Sequence, residues 1–138
     1  MLDNTDQRIL EELLENGRIT MKELGGKVHL TGQATATRVI KLEEEGVIEG
    51  YTINLNQIKA GYYVHTFINI YTMSMDHQLF LSFVEKQQNY IINNFKISGE
   101  SCYLMECRFP SNEELDQFLI QLSKYVHYKL SIVINKRN

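Results

Sequence analysis

The chain has one proline, no tryptophan and two cysteines among its 138 residues. Two thiols make no disulfide framework, so a small stapled extracellular scaffold is excluded. No uninterrupted apolar run approaches the roughly 18 residues that a membrane helix requires. The opening Met1-Leu2-Asp3-Asn4-Thr5-Asp6 is acidic and lacks the apolar core of a secretory signal. A cytoplasmic protein without a membrane partner is therefore expected. Basic residues are short as well, with 14 Lys and Arg against 17 Asp and Glu and a formal charge of −3. That balance argues against a general polyanion binder but leaves a site-specific one open. What is present is an ordinary 43% of hydrophobic residues, too many for a disordered chain.

Glycines punctuate the first third. Six of the eight fall before residue 51, separating short helical pieces. Ile9, Leu10, Leu13 and Leu14 recur at helical spacing before Asn16-Gly17. Thr20-Met21-Lys22-Glu23 has the form of a capping box and opens a second helix burying Met21, Leu24 and Val28. Thr31 caps a third, whose inward stripe is Thr35, Val39 and Leu42 and which stops at Gly46. Val47 to Leu55 alternates as a short strand or wing. Three short helices and a strand pair build a winged helix-turn-helix, with a small three-helix packing module as the plainer alternative.

From Tyr62 the texture becomes β-branched and aromatic. Val64, Thr66, Ile68 and Ile70 share one strand face, and Asp76 caps a helix with Leu79, Phe80, Phe83 and Val84 inward. Ile91 to Ser98 and Cys102 to Phe109 form two strands around Gly99-Glu100. Ser111 to Glu114 reads as another capping box, opening a helix that carries Leu115, Phe118, Leu119 and Leu122. A last strand places Tyr128, Leu130, Ile132 and Ile134 on one face. The order β-α-β-β-α-β is the ferredoxin-like unit. The fold class is thus α+β: a winged helix-turn-helix over residues 1–50, a linker or wing strand over 51–61, and the βαββαβ domain over 62–138.

On the third helix the outward positions are Gln33, Ala34, Thr37, Arg38 and Lys41. Gln reads adenine edges, Arg reads guanine or grips phosphate, and Thr hydroxyls suit either. Arg38 also has a structural reading, as a bridge to an acid of the first helix. Residues 1–50 hold ten acids against six bases. Lys22, Lys27, Arg38 and Lys41 nonetheless lie on the helix pair that would face DNA, with Thr31 at the helix start. Few phosphate contacts per subunit follow, so more than one subunit is needed. In the second half two helices cover one sheet face, and a second copy is the simplest cover for the other. Its expected stripes are Tyr63, Phe67 and Tyr71 on one strand and Cys102 and Leu104 on another.

Leu2-Asp3-x-x-Asp6-x-x-Ile9-Leu10-x-x-Leu13, then Gly17-Arg18, resembles the opening of the Lrp/AsnC (feast/famine) transcription regulators. Leu24, Val28, Leu30-Thr31 and Arg38-Val39-x-x-Leu42-Glu43-x-x-Gly46-Val47-Ile48-x-Gly50-Tyr51 continue that series without a gap. The resemblance implies a sequence-specific regulator of double-stranded DNA that forms homodimers and assembles further, for instance into octamers. It also implies that the βαββαβ domain senses a small metabolite such as an amino acid. The effector turn would be Gly99, Glu100, Ser101 and Cys102, where Cys102 replaces the second acid of the family's Gly-Asp-x-Asp. An architectural DNA-wrapping protein, or a metabolite sensor without DNA binding, remain the other classes.

No catalytic role, cofactor or metal is expected. His29, His65, His77 and His127 are scattered, without zinc-ligand spacing. Cys102 and Cys107 lie five apart on one strand and point to opposite faces. The tyrosines of the second half invite base stacking, but they lack companion basic residues, and packing explains them with less.

Overall fold

The structure, a computed structural model, describes residues 1–138. The chain divides into two compact units, Met1–Asn54 and Leu55–Asn138. No helix is long and apolar enough to cross a membrane.

The first unit holds α1 (Asn4–Glu15), α2 (Met21–Val28) and α3 (Gly32–Glu44). A capping box that the sequence reading passed over opens α1. Asp3 accepts from the Asp6 amide at 2.7 Å, and the Asp6 carboxylate accepts from the Asp3 amide at 3.4 Å. Ile9, Ile19, Leu24, Val28, Val39 and Leu42 form a small buried core. Leu14, expected inward, is 86% exposed. At 100° per residue it stands about 140° around the helix from Ile9, outside the stripe. Val47 to Leu55, expected as a strand or wing, contains no strand. The amides of Val47 and Ile48 bond to the Leu42 carbonyl, and no neighbouring strand pairs with the residues that follow. Alternation alone makes no ladder.

The second unit runs β1 (Val64–Thr72), α4 (Gln78–Lys86), β2 (Ile91–Lys96), β3 (Tyr103–Phe109), α5 (Asn112–Leu122) and β4 (Val126–Ile132). Its sheet has the order β2-β3-β1-β4 with every neighbouring pair antiparallel. This is the expected βαββαβ arrangement. Ile68 lies opposite Met105 on one side and Leu130 on the other, in the middle of the helix-covered face. The core there is aromatic, with Phe118 against Phe109 at 5.1 Å and against Phe83 at 5.3 Å between ring centroids.

Four local expectations are corrected. Leu79 is exposed, while Phe80, Phe83 and Val84 are buried. His77 is the N-cap of α4 and makes no side-chain cap bond, although the Asp76 carboxylate accepts from the Gln78 amide at 3.0 Å. Ser111 forms no capping box, because its hydroxyl donates to the Glu114 carboxylate and its side chain makes no cap bond to a backbone amide. Ile134 lies beyond the end of β4 and is exposed.

The other sheet face is mixed rather than an apolar stripe. Phe67 and Leu104 alternate with a His65–Glu106 pair at 2.7 Å. Arg108 stacks on Tyr62 at 4.4 Å, and Lys129 stands 5.7 Å from the Tyr71 ring. Two of the tyrosines therefore do have basic companions, contrary to the sequence reading.

Candidate functional site

Polar side chains at helix ends set the geometry of the first unit. Thr20 accepts from the Glu23 amide at 3.1 Å, and the Glu23 carboxylate accepts from the Thr20 amide and hydroxyl. The hydroxyl bond is the main reason the Glu23 carboxyl lies below its ordinary range. α2 ends on His29, which adopts the left-handed conformation at φ 62°. The Leu30 amide then bonds to the Gly25 carbonyl at 2.9 Å. A Cβ at Gly25 would lie 2.6 Å from the Leu30 carbonyl oxygen and 2.9 Å from the Thr35 hydroxyl. Only glycine permits this close crossing of α2 and α3. Thr31 caps α3 as expected, accepting from the Ala34 amide at 3.1 Å.

So positioned, α3 presents Gln33, Thr37 and Lys41 as an exposed row at intervals of four residues. Ile40, not anticipated, is 51% exposed beside them, and Ala34 is half-buried. The Thr37 hydroxyl donates to the Gln33 carbonyl at 3.0 Å, so its lone pairs rather than its proton face outward. Lys41 lies 3.9 Å from Glu45, an exposed contact that constrains it little. Lys22 is exposed, and its backbone lies 3.5 Å from where a Cβ on Gly32 would stand, at the start of α3. Lys27 turns elsewhere. Its ammonium is 3.8 Å from Glu12, and its carbonyl accepts from Arg8 at 3.0 Å, against α1.

Arg38 takes the structural bridge. Its Nη1 donates to Asp3 at 2.7 and 3.0 Å and to Asp6 at 3.1 Å. The Arg38 bond holds the Asp3 carboxyl below its usual range, and the two carboxylates, Asp3 first, raise the guanidinium further.

In the second unit the β2–β3 connection turns on Gly99 at φ 132°. The Ile97 amide bonds to the Cys102 carbonyl at 3.0 Å, and the Cys102 amide to Ile70 at 2.7 Å. Glu100 is exposed at the tip. Ser101 is buried and donates to the Asn69 side chain at 2.9 Å. The Cys102 sulfur is 3.3 Å from the Thr72 hydroxyl, which lies 3.2 Å from His77, which in turn lies 2.9 Å from the Tyr103 hydroxyl. No spacing rule finds that chain of contacts; its first link, the bond to Thr72, is the main cause that lowers the Cys102 thiol below its usual value. Of the four turn residues, only Gly99 and Glu100 are exposed. None of the four lines the cleft of about 350 Å3 formed by Gln87, Tyr90, Glu114 and neighbours on α5.

Comparison with known proteins adds to this geometry. A family model described as winged helix-turn-helix DNA-binding matches residues 2–49. The HTH-type transcriptional regulator LrpA of Bacillus subtilis is 57% identical, over 99% of this chain and 100% of its own length. LrpB of the same organism is 35% identical over 98% of this chain and 90% of its own. The structure of B. subtilis LrpC superposes with a TM-score of 0.93 at 29% identity, covering 100% of this chain and 98% of that one. A Neisseria meningitidis transcriptional regulator solved as a complex with L-Met gives 0.92 at 26% identity, covering 100% and 93%.

Proposed function

The chain belongs to the Lrp/AsnC family of helix-turn-helix transcriptional regulators, and from that premise we propose how it holds its operator and what it senses. It is a DNA-binding transcription regulator. α3 enters the major groove, with Gln33 and Thr37 towards base edges and Lys41 and Lys22 on phosphates. The observation that carries this is the exposed Gln33–Thr37–Lys41 row on a helix whose start is fixed by Thr31 and by the Gly25 crossing. Lys27 is 54% exposed and 3.8 Å from Glu12 on the α1 side, and serves as a peripheral phosphate contact.

A homodimer is the binding unit. Phe67, Leu104 and Phe95 on the open sheet face offer apolar area, and the His65–Glu106 pair offers a polar register mark. Two subunits also supply the phosphate contacts that one acidic module cannot. Dimers assembling further, as octamers, complete this reading. The effector is an amino acid whose ammonium meets Glu100 at the β2–β3 turn. The exposed carboxylate and the L-Met complex of the neisserial relative support it.

Footprinting of the full chain on genomic fragments at two salt concentrations tests the main reading. Discrete protected sites are expected. Extended, phased protection would mean wrapping, and loss of all duplex affinity at low salt would leave a sensor. For the effector, calorimetry against a panel of amino acids should give binding that Glu100→Gln abolishes. Binding by no amino acid sinks that part alone.

A further inference from the structure

The Arg38 contacts leave half of the guanidinium unused. All three hydrogen bonds leave from Nη1, and Nη2 and Nε donate to no group of the chain. The side chain is 35% exposed, and Asp3 opposite it is 55% exposed. The Asp3 leg is thus open enough to add little to stability, while Asp6 is 19% exposed. Arg38 follows Ala34 by one turn of α3 and precedes Lys41 by three residues, on the flank of the exposed row. Resting on the reading of α3 as the recognition helix, we infer that Asp3 and Asp6 are positioning residues for DNA binding: they hold Arg38 by one end so that its free end meets an operator phosphate.

The chemistry favours this division of labour. A guanidinium is a planar fork that matches phosphate oxygens, and it loses many rotamers when it binds. Two carboxylates on Nη1 remove that freedom beforehand, so the phosphate meets an ordered donor pair. The cost is two negative charges close to a polyanion. In the absence of any positioning role, neutralising either acid would tighten binding. The two accounts therefore predict opposite signs.

Asp3→Asn separates them, because asparagine caps a helix as well as aspartate does and keeps α1 intact. The full chain would be titrated with a duplex selected from fragments that the parent binds, at several salt concentrations, with thermal stability measured alongside. Asp3→Asn should bind about tenfold more weakly, with a salt slope smaller by about one, although a negative charge has gone. Arg38→Lys should lose a similar factor, and the double variant little more than either single one. Glu11→Gln, which removes an exposed acid of α1 away from Arg38, should bind at least as tightly as the parent. Asp3→Asn binding as tightly as the parent, or a fully additive double variant, overturns the positioning role. Should Gln33→Ala and Lys41→Ala also bind like the parent, the recognition face itself is wrong, and both readings fall together.

Discussion

The two units solve stability differently. The first has six buried apolar residues and relies on its helix ends, where Asp3, Thr20 and Thr31 each cap a helix. The second has a larger core, rich in phenylalanine, and neither of its helices begins with a side-chain cap bond from its N-cap residue. Each unit also buries one threonine completely, Thr35 in α3 and Thr66 in β1. The Thr35 hydroxyl donates to the Thr31 carbonyl at 2.8 Å, whereas the Thr66 hydroxyl has no partner. The small unit is specified by directed polar contacts. The larger one has enough apolar burial to tolerate an unmet one.

The contrast can be broken most forcefully in the aromatic core. Phe109→Ala, opposite Val64 and in contact with Phe118, should cost about 3–5 kcal/mol and abolish amide-exchange protection in residues 62–138. Protection in α1 to α3 should outlast it. Loss of both together would mean that the units do not fold separately.

Gly25→Ala tests the first unit in the same way. The added methyl meets backbone at 2.6 Å, so a loss of roughly 1–3 kcal/mol is expected, with weaker DNA binding and an unchanged second unit. A stable, fully binding variant would show that the α2–α3 crossing is not tight.

The threonines should differ in sign. Thr66→Val removes an unsatisfied buried hydroxyl and should raise stability by about 1 kcal/mol, while Thr35→Val should lower it by up to about 1 kcal/mol. Equal effects on denaturation midpoints would erase the distinction. Acid should have the smallest effect. Asp3 and Glu23 have lowered carboxyl pKa values in the fold, so their stabilisation is complete above the ordinary carboxylate range and fades as pH falls through and below about 4. Only Glu114 is comparable in the second unit. Exchange protection should therefore decline first in α1 and α2 on acidification.

The order of elements and most local signals read well from the chain, and side-chain partners distant in sequence did not. The caps at Thr20 and Thr31, the Thr35–Val39–Leu42 stripe and the alternation of β1 are all set by neighbours within four residues, and each is found in the fold. The opposite happened where a partner lies far away in sequence. The Glu12 beside Lys27 lies 15 residues away in sequence, and Val47 to Leu55 alternates like a strand yet has no neighbour to pair with. One local signal also failed: Ser111 and Glu114 have the right spacing for a capping box, but their side chains satisfy each other first. The outward row of α3 could be read from helical periodicity; the partners of Arg38 could be named only as some acid of the first helix. The chain of contacts from Cys102 through Thr72 to His77 and Tyr103 joins three separate elements, and no spacing rule reaches it.

The two cysteines give an experimental handle. Cys107 is fully buried, and burial pushes its thiol up to about 12, so an alkylating dye finds almost no thiolate there. Cys102 is half-buried on the rim of the β2–β3 turn, with its thiol shifted the other way by Thr72. A maleimide fluorophore added at neutral pH should therefore mark one position per chain, beside Glu100. The unaltered protein thus offers a single reporter at the place where an effector is expected to bind.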